Sequence, residues 1–141
     1  MSRFGAIALL LAVCFLGGCS GNKGEEEALK AVMVNNVTAL QEENVEKYMA
    51  TLHPESPGYA KMELLCPQIF QIYDLAHKLI DIEVLSVSSG EAKVRTVQEA
   101  RRLSGPENYR HNRSTMVHTL KKYQGEWKLF QSDQESMEYI E

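Results

Sequence analysis

Hydrophobic positions fall into three regimes along the chain. From Phe4 to Leu16 every residue is apolar or small. From Leu29 to Leu75 apolar residues recur every three or four positions, the period of a helix with one buried face. Beyond Leu79 they alternate with polar residues, as on a half-buried strand. The middle regime predicts three helices. Glu25, Glu26 and Glu27 open the first, where negative charge suits the helix dipole. Leu29, Val32, Met33, Val37 and Leu40 form its stripe, with Asn36 in the middle. Asn44 caps the second, which carries Val45, Tyr48, Met49 and Leu52 and stops at His53-Pro54. Ser56-Pro57 supplies a cap and a first-turn proline for the third, running from Tyr59 through Leu75 and kinked or broken near Pro67.

In the third regime Ile80, Ile82 and Val84 alternate with Asp81 and Glu83. Ser89-Gly90 marks a turn, and Ala92 to Leu103 reads as a second strand. Gly105-Pro106-Glu107-Asn108 is the next turn, and Asn112 to Tyr123 the third strand. Gln124-Gly125-Glu126 leads to a fourth, Trp127 to Gln134. Helices first and then a meander give an α+β fold, with N-terminal helices packed on a four-stranded antiparallel sheet.

The opening regime is a leader. Arg3 precedes an apolar run too short to cross a bilayer core about 30 Å thick. It closes with Leu16-Gly17-Gly18-Cys19. This resembles the lipobox of bacterial lipoprotein signal peptides: a leucine, two small residues and an obligatory cysteine, whose thiol forms a thioether to a diacylglycerol. The resemblance implies a signal peptide over 1–18, a lipidated cysteine and flexible tether over 19–24, and a domain over 25–141. It also implies fatty acylation, palmitate among the acyl groups, at Cys19. Two or three acyl chains anchor stably where one does not. The expected location is extracytoplasmic at the cell membrane. Ser20 after the cysteine fits the outer membrane, facing the periplasm, in a diderm host.

Composition narrows the partners. Of the 15 basic residues, cleavage removes Arg3, leaving 14 against 19 acidic and a net charge of −5. Such a balance offers no electrostatic reason to bind nucleic acid. Cys14 lies in the leader, Cys19 is the lipidation candidate and Cys66 stands alone, so no CxxC or Cys/His spacing suggests a metal. No cofactor motif is present.

The helix-two segment Asn44-Val45-Glu46-Lys47-Tyr48, the loop His53-Pro54-Glu55-Ser56-Pro57, the strand Glu91-Ala92-Lys93-Val94-Arg95 and the hairpin His118 to Lys128 come in a telling order. The whole resembles the nuclear transport factor 2-like (NTF2-like, cystatin-like) superfamily, the group of the SnoaL and ketosteroid isomerase types. That resemblance implies a strongly curved sheet forming a cone around helix one, and a homodimer through the outer sheet face. It implies no activity, because the superfamily holds isomerases, dehydratases, cyclases and plain binding domains. The tyrosine-plus-carboxylate arrangement of the steroid isomerases has no residue-by-residue match here.

If Trp127 and Leu129 face the cone, strand alternation carries Gln131 and Asp133 inward too. Met116, His118 and Leu120 then share that face, Thr96 and Gln98 extend it, and Asn36 looks in from the helix. Asn36, Gln98, His118, Gln131 and Asp133 are the candidate ligand-binding residues. The expected function is a non-catalytic, membrane-anchored domain binding a small apolar ligand or an envelope partner protein. The alternative is a small cofactor-independent isomerase, dehydratase or cyclase, with His118 as a base oriented by Asp133. Arg101, Arg102, Arg110, His111 and Arg113 cluster about the second hairpin. They suit either anionic partners or a solvated edge that discourages strand pairing.

Overall fold

The computed structural model describes residues Ser20–Glu141; the leader and Cys19 lie outside the described residues. Helices α1 (Ser20–Gln41), α2 (Val45–Ala50) and α3 (Tyr59–Ile72) precede strands β1 (Asp74–Val87), β2 (Glu91–Ser104), β3 (Asn112–Tyr123) and β4 (Glu126–Tyr139). The strands form one antiparallel sheet in the order β1-β2-β3-β4. This is the expected α+β meander, curved about the first helix.

α1 buries Leu29, Met33, Asn36 and Val37, the face that the helical period predicts. Its start differs from expectation. The polar run Ser20–Gly24, read from composition as a tether, is the first part of the helix. Extending an existing helix adds a hydrogen bond per residue without a new nucleus, which offsets the cost of glycine there. The Glu25 carboxylate anchors this end, accepting from Trp127 Nε1 and, at 2.8 Å, from Lys122 Nζ at the base of the β3–β4 hairpin. Those two hydrogen bonds, Lys122 foremost, hold the Glu25 carboxyl below its usual pKa.

Asn44 caps α2 as expected, accepting from Lys47 N at 2.9 Å. Ser56 does not cap α3, whose N-cap is Gly58. The Ser56 hydroxyl instead donates to the Phe130 carbonyl oxygen at 2.7 Å, fastening the α2–α3 loop to β4. α3 passes through Pro67 unbroken and ends at Ile72, short of Leu75. The carbonyl of Glu63, which Pro67 cannot serve, belongs to an exposed residue that water can reach. Leu75 is a strand residue, buried opposite Arg102 on β2. β4 likewise runs past Gln134 to Tyr139, held by pairing with β3 where its own polar sequence gives no strand signal.

The register separates the central strands from the outer ones. β2 and β3 pair without interruption from Glu91↔Lys121 to Ala100↔Asn112. The β1–β2 ladder slips between Asp74 and Leu75, between Leu79 and Asp81 and between Val84 and Ser86; the β3–β4 ladder slips at Phe130 and Glu135. Each extra residue bends and twists its strand. It also reverses the side-chain phase. Ile80, expected inward with Ile82 and Val84, is 42% exposed, and Leu79 takes its place against the core.

That core joins Leu29 and Met33 of α1 to Ala92, Val94, Leu120, Trp127 and Leu129 of the sheet. Two of the meander's three turns depend on a positive φ. Gln124 and Gly125 have φ of 50° and 82°, both positive, as a tight type I′ hairpin requires. At Gly105, φ is 106° and a Cβ would lie 2.6 Å from the Ile72 carbonyl oxygen, so only glycine fits. Leu120 is fully buried among α1 and three strands, and Leu120→Ala should cost about 2–5 kcal/mol. Urea denaturation measures this; a loss under about 1 kcal/mol would contradict the packing described.

Candidate functional site

Beyond the apolar core, toward the open end of the cone, the concave face turns polar. It encloses a cavity of about 560 Å³ between α1, α2 and strands β2 to β4. Leu40, Leu52, Met116 and Leu129 supply its apolar walls, while Asn36, Tyr48, Gln98, His118, Ser132 and Gln134 supply polar groups. Tyr109 and Arg110 stand at the rim.

His118 is the central side chain, 4% exposed. Its Nε2 lies 2.7 Å from Thr96 Oγ1, and its Nδ1 lies 2.7 Å from Ser132 Oγ. Gln98 Nε2 donates to the same Thr96 oxygen at 2.9 Å. Thr96 is fully buried, so its single hydroxyl proton needs an acceptor, and Nε2 is in reach. That assigns the ring proton to Nδ1, which donates to Ser132. Burial pushes the His118 pKa down to about 4, the more distant Asp133 pulling weakly upward. The ring is therefore neutral at pH 7.

On the helical side, Asn36 Nδ2 donates to Thr51 Oγ1 at 2.8 Å, and the Thr51 hydroxyl donates to the Tyr48 carbonyl at 2.7 Å. The Asn36 side-chain oxygen remains an acceptor. Burial, with a smaller contribution from Cys66, raises the Tyr48 phenol to about 12, so it is a neutral donor.

Three of the expected site residues, Asn36, Gln98 and His118, converge on this cavity. Gln131 and Asp133 do not. The extra residue at Phe130 reverses the phase of β4, pairing Thr119 with Gln131, His118 with Ser132 and Val117 with Asp133. Both expected residues therefore project from the convex face, where Gln131 Nε2 donates to the Asp133 carboxylate at 3.0 and 3.1 Å. The partner of His118 is a hydroxyl, not a carboxylate. Ser132, Gln134 and Tyr48 were missed for that reason or, for Tyr48, because its period read as core.

The arginine cluster is mostly engaged within the chain. Arg102 donates to the Gly105 carbonyl at 3.0 Å, and Arg110 lies 4.0 Å over the Tyr139 ring. His111 and Arg113 both contact Glu99, at 2.8 and 3.1 Å, and Arg113 also reaches Glu138. Hydrogen bonds from His111 first, then Arg113, depress the Glu99 carboxyl. A second, larger cleft of about 990 Å³ lies on the opposite side of α1. Its cations are also paired, Lys47 with Glu42, Lys122 with Glu25 and Lys128 with Glu126. Among the described residues no group of side chains is placed to hold a metal, and no helix is long and apolar enough to cross a membrane.

The buried histidine makes folding pH-dependent with a definite sign. The unfolded chain takes up a proton near 6.5 and the folded one only near 4, so stability is full above 6.5 and falls as pH drops through that window. From pH 6.5 to 4 the native protein should lose on the order of 3 kcal/mol more than His118→Gln. Urea midpoints measured across that range test this. Parallel pH profiles for the two proteins would mean that His118 is not held neutral.

Solved structures share this architecture at low sequence identity. A protein provisionally named as a scytalone dehydratase, from Novosphingobium aromaticivorans, is 18% identical over 85% of this chain and 90% of its own, with a TM-score of 0.69. A single-substitution variant of Rv3472 from Mycobacterium tuberculosis, a protein of unknown function, is 12% identical over 85% and 76%, with a TM-score of 0.71. A ketosteroid isomerase-like protein from Erwinia carotovora atroseptica is 19% identical over 79% and 97%, with a TM-score of 0.59. These likenesses establish the NTF2-like fold and nothing finer. No curated protein matches the sequence. The family described as "Anti-sigma-I factor RsgI9, C-terminal domain" matches residues 31–140, from the middle of α1 to the end of β4, and the chain belongs to that family.

Proposed function

We propose that the chain is an extracytoplasmic lipoprotein, anchored through Cys19, whose NTF2-like cone is a binding site for a small amphipathic molecule. The observation that carries the binding role is the cavity itself. It is open, divided between apolar walls and neutral polar groups, and keeps hydrogen-bonding capacity at Asn36, Gln98 and Ser132 beyond what the fold consumes. A filled core would have apolar side chains there. The family's description, the C-terminal domain of an anti-sigma-I factor, fits a recognition role as well.

The enzyme reading draws less support. It needs His118 as a base near neutral pH with Asp133 orienting it. The ring is neutral but too weakly basic, and Asp133 lies across the sheet from it. The lipid anchor rests on Leu16-Gly17-Gly18-Cys19.

Two measurements test the proposal. Intact-mass analysis of the protein from its native membrane should find an N-terminal diacylated or triacylated Cys19, and Cys19→Ser should leave an unprocessed precursor. A mature terminus elsewhere would refute the anchor. Native mass spectrometry of the mature protein should show extra mass that disappears on denaturation, and Met116→Trp, which fills the cone, should abolish it. A ligand-free native mass, or an adduct that survives Met116→Trp, would remove the cone as the binding site.

A further inference from the structure

The rim of the cone holds a charge that the fold leaves unanswered. Arg110 borders the cavity, and its guanidinium lies 4.0 Å over the Tyr139 ring. Stacking orders the plane of that group but leaves its charge intact and its N–H edge free to donate. Among the described residues no carboxylate lies within ion-pairing distance of it.

The neighbouring charges answer one another. Strand register sets Lys78, Glu99, Arg113 and Glu138 in one row across the four strands, alternating in sign and without net charge. Arg113 bonds both carboxylates of that row, and His111 also holds Glu99. Burial keeps the cavity's two histidines, His118 and His77, toward their neutral forms. Arg110 is therefore the cavity's unpaired cation among the described residues.

Its position is fixed as well. The Arg110 carbonyl accepts from the buried Asn112 side chain at 3.0 Å, and Ile140 N donates to the His111 carbonyl at 3.0 Å, pinning this segment to the end of β4. Beside it the Tyr109 ring packs on Tyr73 at the end of α3, with centroids 5.6 Å apart. Met116 lies four positions past Asn112 on β3, about 13 Å deeper along the strand. There it joins Leu40, Leu52 and Leu129 in the apolar wall.

Resting on the ligand-binding reading above, we infer that the cone takes a small amphipathic carboxylate, its anionic head on Arg110 at the rim and its apolar body reaching inward along Met116. The guanidinium fork matches a carboxylate with two parallel hydrogen bonds. One positive charge answers one negative charge. A dianionic phosphate monoester would bring a second charge to a rim that Glu99 already borders, with no cation left to meet it. The neutral groups farther in, Asn36, Gln98 and Gln134 among them, serve whatever hydrogen-bonding groups the body carries and do not set the charge of the head.

The test uses three probes sharing one alkyl chain on the mature protein in non-ionic detergent micelles at low salt: hexanoate, hexanamide and hexyl phosphate. Binding is followed by backbone amide shifts. Hexanoate should move the amides of the rim and of β3 near Met116, with an affinity at least about tenfold above that of hexanamide, the worth of one charge-assisted pair. Hexyl phosphate should bind more weakly than hexanoate. Arg110→Gln should bring hexanoate down to the level of hexanamide, and Arg110→Lys, which keeps the charge but loses the fork, should fall between. Arg101→Gln removes an equal charge from β2 outside the cavity and should leave hexanoate binding unchanged. Hexanamide or hexyl phosphate binding in the cone as tightly as hexanoate would overturn the inference while leaving a binding module in place. So would an unaffected Arg110→Gln variant, or an equal loss from Arg101→Gln, which would trace the effect to net charge. Absence of hexanoate-induced shifts from the cone would overturn it as well. The broader reading stands or falls separately, on the carried mass.

Discussion

Curving a four-stranded sheet around one helix sets a constraint that most of the molecule obeys. Strands at the two sides of the bend follow different paths from the strands in its middle, and a regular ladder cannot absorb the difference. Here the central ladder β2–β3 is regular from end to end, and the slips fall in the two outer ladders, at Ile80 and Leu85 of β1, at Leu103 near the end of β2, and at Phe130 and Glu135 of β4. Each extra residue increases local twist and bend. The reward is closure: the sheet reaches around Leu29 and Met33, and Ala92, Val94, Leu120, Trp127 and Leu129 meet them in one core. The same slips decide which side chains look into the cone. Ser132 faces His118 because Phe130 has been set aside from the pairing.

Once Ser132 is there, the electrostatics of the cavity follow. A carboxylate at that position would share the proton of His118 and hold its pKa up. A hydroxyl does neither, so desolvation dominates and the ring is neutral. A neutral imidazole must be a donor at one nitrogen and an acceptor at the other, and the Thr96 hydroxyl settles which. The polar end of the cone is thus a directed chain of neutral groups, not an ion pair. That chain resists change because Thr96 has no solvent to fall back on: it is fully buried, and every partner lost leaves an unsatisfied group.

How much of this was legible in the sequence depends on whether local pattern or long-range pairing decided the outcome. The α1 stripe, the Asn44 cap and β3 from Asn112 to Tyr123 were legible because each obeys its own periodicity. The inward positions of Thr96, Gln98, Met116 and His118 were legible because the β2–β3 ladder carries no slip. Ile80, Gln131 and Asp133 were assigned to the wrong face for one reason: strict alternation has no means of counting an unpaired residue. One local trace of the slip does exist. Leu129 and Phe130 are adjacent and both apolar, which a half-buried strand does not need. The Phe130 ring packs against His53 and under Lys121 outside the cone, so both members of the pair have a use. The first turns of α1 and the last residues of β4 were illegible because both continue elements that other parts of the fold hold in place.

α1 ties these parts together. Near its N-terminus Glu25 is fastened to Trp127 and Lys122, its middle contributes Leu29 and Met33 to the core, and Asn36 and Leu40 lie at the cavity. Anything bound in the cone touches the same rigid helix that leads back toward the N-terminus. Binding to the folded state alone stabilises that state by mass action, and much of the gain appears as tighter docking of the elements the ligand contacts. Ligand occupancy and the seating of α1 against the hairpin are therefore thermodynamically linked. Under the proposed anchoring through Cys19, that linkage is the physical route from the cone's contents to the anchor.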